Sequence, residues 1–219
     1  MRRDMAIDRL RGKFIVFDGG EGCGKSTQAR LLRDRLVAQG MDVVLVRDPG
    51  TTHIGEQIRE ILLNPLHVEM NMRCEMLLYM AARAQMISES IQPALDEGAV
   101  VICDRFVSST LAYQLGGDGL TERDIRAVAE IALGGRWPDL TVIFDMPPER
   151  SIARVKRVKD RIEQRPPAYH EQVRRNYLAQ VKADSKRCRL VNADRDEQAV
   201  HADVWTLVTE QAGANGGEG

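Results

Sequence analysis

The stretch that decides the fold is "FDGGEGCGKST", residues Phe17–Thr27, which follows an apolar run and opens a helical pattern. Gly19, Gly24, Lys25 and Ser26 match the spacing G-x-x-x-x-G-K-[ST] in this strand–loop–helix context. Backbone N–H groups of such a loop point inward at phosphate, and the helix that follows adds its positive end. The lysine can reach the β- and γ-phosphates, and the serine hydroxyl can ligate Mg²⁺. The stretch therefore predicts a phosphate-binding loop (P-loop) for a nucleoside triphosphate.

We expect the whole loop to contact the nucleotide, which gives a predicted binding set of Gly19, Gly20, Glu21, Gly22, Cys23, Gly24, Lys25, Ser26 and Thr27. Two carboxylates, Asp18 and Glu21, are unexpected beside an anion site. Cys23 is interpreted as a small residue that fits the loop, not as a nucleophile or a redox switch. The four cysteines are scattered without a close pair, which is typical of a reducing compartment and not of a disulfide framework or a zinc site.

Short apolar runs alternate with longer helical patterns along the chain. Continuous apolar strands indicate a parallel sheet covered on both faces, with ligands at the carboxyl ends of the strands. The predicted strands are Phe14–Phe17, Val43–Val46, Val100–Cys103, Leu140–Phe144 and Cys188–Val191. The predicted helices are Lys25–Gln39, Ile54–Leu63, Met70–Glu97, Ser108–Gln114, Thr121–Leu133, Pro148–Val158, Ala168–Ser185 and Asp196–Gln211. The fold class is α/β: a P-loop NTPase fold with a five-stranded parallel sheet, one domain over residues 1–212 and a disordered tail over 213–219.

Composition restricts the classes of partner. The net charge is −1 and the sequence has no stripe of interleaved aromatic and basic residues, which argues against a nucleic-acid-binding surface. The amino-terminal segment is charged, and no apolar run approaches the roughly 20 residues that span a bilayer. We therefore expect a cytoplasmic protein that binds neither membranes nor nucleic acid.

Charged residues end four of the predicted strands: Asp18, Arg47, Asp104 and Asp145. The strand "VVICDRF" places Asp104 where it can ligate Mg²⁺ together with Ser26, and Arg105 follows it. No N-K-x-D motif for guanine is present, and the single acid in "VVICDRF" differs from the paired acids usual in motor ATPases. Because arginine binds phosphate in a fixed orientation, Arg47, Arg83 and Arg105 suggest a second anion site opposite the loop. Two anion sites indicate phosphoryl transfer between nucleotides.

Six segments that occur in a fixed order along the chain carry a resemblance to a known family: "EGCGKSTQ", "RDPGTT", "LLYMAARAQ", "PALDEGAVVICDRFVSSTLAYQ", "PDLTVIFDMPPE" and "DRIEQ". Their order closely resembles the thymidylate kinase family, from about Phe14 to Tyr177. The resemblance implies phosphorylation of dTMP to dTDP with ATP and Mg²⁺ in dTTP synthesis, by a homodimer.

The resemblance also implies roles for individual residues on the acceptor side. Tyr79 would stack on thymine, Arg83 and Thr110 would meet the base, and Tyr113 would crowd the sugar 2′ position. Arg47 and Arg105 would hold the monophosphate, and Glu21 would bind the 3′-hydroxyl. The predicted acceptor set is Glu21, Arg47, Pro49, Tyr79, Arg83, Arg105, Ser109, Thr110, Tyr113 and Gln114.

A mobile lid is expected over about residues 150–166, in the basic stretch "RSIARVKRVKDRIEQR". The family supplies a catalytic arginine from the P-loop or from the lid, and here the P-loop position is Gly22. Arg154 is the first candidate and Arg157 the second, with Arg161 expected to be held by Asp160 or Glu163. With these, the predicted catalytic residues are Glu21, Lys25, Arg105, Arg154 and Arg157.

Two departures from the family pattern concern the acceptor loops. Thr51 replaces a glycine in "RDPGTT", and Asp118 replaces an arginine in "LGGDGL". Two other readings stay open from the residues alone. One is a kinase for another nucleoside monophosphate, such as dCMP or UMP, or for a deoxynucleoside. The other is a non-catalytic P-loop module that senses a nucleotide or binds nucleic acid.

Overall fold

Five parallel strands form one sheet, whose order differs from the order of the strands in the chain. The computed structural model describes residues 5–156 and 158–214. The strands are β1 (Phe14–Gly19), β2 (Val43–Arg47), β3 (Val100–Asp104), β4 (Leu140–Asp145) and β5 (Cys188–Asn192). They lie in the order β2–β3–β1–β4–β5. The predicted α/β class and the five-stranded parallel sheet are confirmed.

Helices cover both faces of the sheet. They are α1 (Met5–Asp8), α2 (Lys25–Ala38), α3 (His53–Leu63), α4 (Met72–Met86), α5 (Gln92–Asp96), α6 (Val107–Tyr113), α7 (Glu122–Leu133), α8 (Pro148–Ala153), α9 (Pro167–Ala183) and α10 (Glu197–Ala214). Every residue of β1 is buried, as expected for a strand with helices above and below it. Within the described ranges, no helix is both long enough and apolar enough to cross a membrane.

Three helix predictions need correction. The pattern Met70–Glu97 is interrupted by a π-helical turn at Ile87–Ile91, after which Pro93 lies in the first turn of α5. The helix predicted over Pro148–Val158 stops at Ala153, so most of the lid sequence is not helical. The carboxy-terminal helix predicted to end at Gln211, α10, continues to Ala214, two residues into the segment predicted to be disordered. Residues 215–219 lie outside the described part of the chain.

The core has one apolar layer on each side of the sheet. Leu32 and Leu36 of α2 pack with Val204 and Val208 of α10 on one face. On the other face, α4, α5 and α7 pack on β1 and β3, and the rings of Phe14 and Phe106 meet edge to face at 5.0 Å. A third cluster joins α6 to α9 beside β4, and α9 contributes Tyr169, Val173, Tyr177 and Val181 to it, spaced every four residues. This third cluster brings α6 and α9 to the carboxyl edge of the sheet.

The loop after β2 explains the threonine that replaces a family glycine. Thr51 has φ = 71°, in the left-handed region that favours glycine. Its hydroxyl accepts a hydrogen bond from the Arg47 backbone N–H at 2.8 Å, and its own N–H donates to the Glu56 carboxylate at 2.8 Å. These contacts hold a side chain in a backbone conformation that glycine adopts without strain.

Asp118, the second departure, caps a helix. Its Oδ2 accepts a hydrogen bond from the backbone N–H of Met72 at 2.6 Å, and Met72 is the first residue of α4. The first N–H groups of a helix have no partner inside the helix, and a carboxylate there also interacts favourably with the helix dipole. Asp118 therefore supports the end of the helix that carries Tyr79 and Arg83.

We predict that Asp118→Ala lowers the free energy of unfolding by about 1 kcal/mol, since loss of a capping side chain typically costs about that much. Asp118→Asn is the matched control, because asparagine keeps an acceptor oxygen and tolerates the observed φ of 51°. Urea denaturation measures the free energy of unfolding of both variants. Equal stability of the alanine variant and the wild type would show that the contact does not support α4.

Candidate active site

The P-loop follows β1 directly and wraps around the start of α2. Gly19, Gly22 and Gly24 all have positive φ, and a Cβ on Gly19 would lie 2.5 Å from the carbonyl oxygen of Phe144. The Lys25 ammonium donates hydrogen bonds to the carbonyl oxygens of Gly20 at 2.7 Å and Gly19 at 3.2 Å. The lysine is thus held against its own loop, within reach of phosphate in the cavity that it lines.

Cys23 has a structural environment. Its thiol donates to the Gly20 carbonyl oxygen at 3.0 Å, and its side chain is buried in the core under α2. Burial raises the pKa of the thiol, more than the nearby Lys25 ammonium lowers it. A thiol that stays protonated is a weak nucleophile. The placement agrees with the interpretation of Cys23 as a small residue that completes the loop.

Ser26 and Asp104 provide a donor set that suits Mg²⁺. Ser26 lies in the first turn of α2, Asp104 ends β3, and the serine hydroxyl donates a hydrogen bond to the aspartate Oδ2. Both residues line the same cavity as Lys25. Hydroxyl and carboxylate oxygens are the ligands that this hard cation prefers, with waters and phosphate oxygens completing its octahedron. The predicted pair therefore fits the ion.

Asp18 is a buried hub at the end of β1. It is 0% exposed, and its carboxylate accepts hydrogen bonds from the Gly19 N–H at 2.9 Å and from the hydroxyls of Ser109 at 2.7 Å and Tyr177 at 2.6 Å. Ser108 donates to the second oxygen at 2.5 Å. The acid that looked out of place in the loop therefore faces α6 and α9, away from the nucleotide phosphates.

Arg105 joins this hub to the loop. Its φ is 74°, an uncommon conformation for a non-glycine residue and one that often marks a functional site. Its guanidinium donates to the Gly19 carbonyl oxygen at 3.0 Å and to Glu21 Oε1 at 2.6 Å. Burial alone would lower the pKa of Arg105, but Glu21, Tyr113 and other acidic neighbours raise it. The cation is permanently charged and fixed in orientation.

An acceptor cavity, narrow and about 70 Å³ in volume, lies between Arg105 and α4. Of the ten residues predicted to bind the acceptor, the cavity is lined by Glu21, Pro49, Tyr79, Arg83, Arg105, Ser109, Thr110, Tyr113 and Gln114. Arg47 lies outside this cavity. Its guanidinium pairs instead with Glu56 at 2.9 Å and faces the P-loop side.

Arg83 is a fully buried cation in the wall of the acceptor cavity. Its Nε donates to Asp48 at 2.5 Å, and its two Nη atoms donate to the Thr110 hydroxyl and the Phe106 carbonyl oxygen, each at 2.8 Å. Its guanidinium carbon lies 5.8 Å from the ring centre of Tyr79. Burial raises the pKa of Asp48 to about 6 even though Arg83 opposes that shift. The arginine and its aspartate are held rigidly before any ligand arrives.

Two tyrosines from different helices line the cavity. Tyr79 projects from α4, and Tyr113, at the end of α6, lies with its ring centre 5.3 Å from the Arg105 guanidinium carbon. The Tyr113 hydroxyl donates to Glu21 Oε1 at 3.4 Å. Glu21 is therefore held at the acceptor cavity by Arg105 and Tyr113.

A larger phosphate cavity of about 580 Å³ adjoins the acceptor cavity, and the two share Glu21, Asp48, Arg59 and Arg105 as lining residues. It also contains Lys25, Ser26, Thr27 and Arg154. Sequence reasoning did not identify Arg59, which donates to the Pro49 carbonyl oxygen at 3.0 Å. Burial and the nearby Arg47 lower its pKa. The available signal was its position three residues after Glu56, on the same side of α3.

The lid arginines differ in their placement. Arg154 follows α8 with its side chain about half exposed, and its guanidinium is 3.9 Å from Asp194. Arg161 is not held by Asp160 or Glu163 as expected. It is buried and donates to Glu75 Oε2 at 2.5 Å and to the Leu62 carbonyl oxygen at 2.9 Å. Arg157 lies outside the described residues.

Comparison with known proteins identifies the family. A family model described as thymidylate kinase matches residues 17–204.

The chain belongs to the thymidylate kinase family.

Curated thymidylate kinases from Pelotomaculum thermopropionicum and an Exiguobacterium species are 46% and 43% identical to it. Each alignment covers 92% of this chain, and 94% and 96% of the respective relative. A crystal structure of the thymidylate kinase from Ehrlichia chaffeensis matches with a TM-score of 0.73 at 28% identity, covering 90% of this chain and 98% of that one. The likeness therefore extends over nearly the whole chain and includes the fold.

We predict that Asp18→Asn lowers the free energy of unfolding by about 3 kcal/mol. One acceptor oxygen becomes an N–H donor that faces hydroxyl, backbone and guanidinium donors in a buried site. Asp34→Asn is the control, because Asp34 is an exposed acid paired with Arg33 and such changes typically stay within about 0.5 kcal/mol. Urea denaturation gives the free energy of unfolding of each variant for comparison with the wild type. A change below about 0.5 kcal/mol at position 18 would contradict the role of Asp18 as a structural hub.

Proposed function

We propose that this protein transfers the γ-phosphoryl group of ATP to the 5′-phosphate of dTMP and releases dTDP and ADP. The observation that carries the proposal is the pair of adjoining cavities. One contains the P-loop, the other is lined by nine of the ten residues that the family resemblance assigns to the acceptor, and Arg105 belongs to both. Membership of the thymidylate kinase family supports the choice of acceptor and of phosphate donor.

Transfer between two polyanions requires that their mutual repulsion be offset. Arg59 and Arg105 lie where the two cavities meet, so they are placed to bind the acceptor phosphate from two sides. Lys25 would exchange its contacts with the Gly19 and Gly20 carbonyl oxygens for oxygens of the transferred phosphate. Positioning and electrostatic stabilisation of this kind account for most of the catalysis in phosphoryl transfer.

Ser26 and Asp104 would hold Mg²⁺, which neutralises charge on the phosphates when it is bound. Glu21 has a different role, on the acceptor side. Its Oε1 accepts from Arg105 at 2.6 Å, and this orients the carboxylate next to the acceptor cavity. There it can accept a hydrogen bond from the sugar 3′-hydroxyl. Asp18 thus faces α6 and α9 and Glu21 faces the acceptor cavity, so neither acid has to face the ATP phosphates.

The base would lie between Tyr79 and the wall formed by Arg83 and Thr110. A half-buried tyrosine ring beside a fixed guanidinium provides a flat surface for a pyrimidine. Tyr113 would then border the sugar and disfavour a 2′-hydroxyl. Pro49, Ser109 and Gln114 complete the lining.

We also propose a cytoplasmic homodimer. All four cysteines are free thiols, in keeping with a reducing compartment. Apolar side chains are 43–83% exposed on α3, on α4 and on the segment between these helices: Ile54, Ile61, Leu66, Val68 and Leu77. Large apolar side chains exposed on two helices that contact each other are typical of an interface, and a second copy of the chain would cover them.

The acceptor is tested by measuring ADP release from ATP and Mg²⁺ with dTMP, dUMP, dCMP, UMP or no acceptor. We expect the highest kcat/KM for dTMP and little ADP release without an acceptor. A higher kcat/KM for dCMP or UMP would assign the protein to another nucleoside monophosphate. ADP release that is absent, or independent of every acceptor, would instead support a non-catalytic nucleotide-binding module.

We predict that at least one of Arg154→Ala and Arg157→Ala lowers kcat by tenfold or more. An arginine that stabilises the transferred phosphoryl group contributes roughly 10³–10⁵ in rate in related enzymes. Arg150→Ala is the matched control, since Arg150 lies on α8, pairs with Asp194 and does not line the phosphate cavity. The measurement is kcat for dTMP at saturating ATP. If both variants keep kcat within tenfold of the wild type, the lid does not supply the catalytic arginine.

A further inference from the structure

Glu75 is a fully buried carboxylate on α4, and three donors from different parts of the chain converge on it. It is 0% exposed. Its Oε2 accepts hydrogen bonds from Arg161 at 2.5 Å and from Arg165 at 2.9 Å. Its Oε1 accepts one from the side-chain Nε2 of Gln114 at 2.6 Å. Sequence reasoning assigned no role to Glu75.

The contact with Glu75 determines which atom Gln114 turns towards the acceptor cavity. A carboxylate that accepts from two guanidinium groups has no proton to donate, so only the NH₂ group of the Gln114 amide can face it. The amide oxygen then points the other way. Gln114 lines the acceptor cavity, and within the described part of the chain no donor reaches its Oε1. The wall therefore presents a hydrogen-bond acceptor with a fixed orientation.

We propose that Glu75 is a positioning residue for base specificity: by holding the Gln114 amide in one orientation, it makes the cavity accept a base that carries an N–H group. Thymine and uracil carry a hydrogen on N3, which can donate to Gln114 Oε1. Cytosine has a bare N3 with a lone pair, which would face the amide oxygen. This inference rests on the proposed phosphorylation of dTMP and names the contact that excludes dCMP.

The size of the effect follows from the cost of an unmatched polar contact. A site that is built to hydrogen-bond a substrate group rejects an analogue lacking that group far more strongly than an apolar pocket rejects a small change in size. Two acceptors facing each other in a buried site are also desolvated without compensation. The orientation of one amide can thus contribute at least a factor of ten to the preference for dTMP over dCMP.

The test exchanges the carboxylate for an amide of the same shape, in Glu75→Gln. Arg161 and Arg165 keep an oxygen at the Oε2 position, so the new NH₂ group takes the Oε1 position and faces the NH₂ group of Gln114. The Gln114 amide must then turn over and offer its NH₂ group to the cavity. We expect the ratio of kcat/KM for dTMP to that for dCMP to fall at least tenfold. The kcat/KM for dUMP should fall together with the kcat/KM for dTMP, because both bases carry the N3 hydrogen.

Two further variants separate this role from a merely structural one. Arg165→Lys removes one guanidinium from Glu75 but leaves the contact with Gln114, so the dTMP/dCMP ratio should stay within twofold of the wild type even if turnover falls. In a Gln114→Leu background, Glu75→Gln should no longer change the ratio, since the amide through which it acts is gone.

Several results would overturn the inference. One is a dTMP/dCMP ratio within twofold of the wild type in folded Glu75→Gln, and another is an equal loss for both substrates. If Glu75→Gln does not fold, as judged by circular dichroism, the single variant Gln114→Leu decides: an unchanged ratio there would exclude any action of Glu75 through Gln114. The proposed function fails separately, if the wild-type protein itself prefers dCMP or UMP to dTMP.

Discussion

The buried carboxylate of Asp18 is the interaction on which the arrangement of the site depends. A charge with no exposed surface is tolerated only when its lone pairs are matched by donors, and here those donors come from the P-loop, from α6 and from α9. Satisfying Asp18 therefore fixes the distance between the P-loop and the helix that lines the acceptor cavity. Arg105 extends this network to Glu21. The geometry of transfer is thus set by a buried polar cluster before either nucleotide binds.

Local signals in the sequence were sufficient for the architecture and for most of the lining of the site. Continuous apolar strands and a glycine-rich loop followed by a helix depend on neighbouring residues, so the five strands and the start of α2 lie close to where they were predicted. The hydrogen-bond partner of Arg161 and Gln114 could not be predicted from neighbouring residues in the sequence. Glu75 is separated from them by 86 and 39 residues along the chain, and only the packing of α4 against α6 and the lid brings them together. The only local signal for Arg59 was its place three residues after Glu56 on the same side of α3, and that spacing does not show that it lies where the two cavities meet.

Both departures from the family pattern are compensated by new hydrogen bonds near the acceptor side. Thr51 occupies a left-handed backbone position, and its hydroxyl accepts from the Arg47 N–H. Asp118 also has a positive φ and caps α4 at Met72. In each case a side-chain oxygen satisfies a backbone donor, which offsets the cost of a conformation that glycine adopts more easily. The substitutions therefore alter the support of the acceptor cavity while the residues that line it remain in place.

The two ends of the lid rest on the two halves of the site. At its start, Ser151 packs so tightly on the P-loop that a Cβ on Gly22 would lie 2.0 Å from the Ser151 carbonyl oxygen. At its end, Arg161 and Arg165 bind Glu75, which also holds Gln114 in the acceptor wall. A side chain at position 22, including an arginine, is incompatible with this packing unless α8 moves away. A P-loop arginine and this lid position therefore exclude each other, and Arg154, in the segment between the two anchors, lines the phosphate cavity beside Gly22.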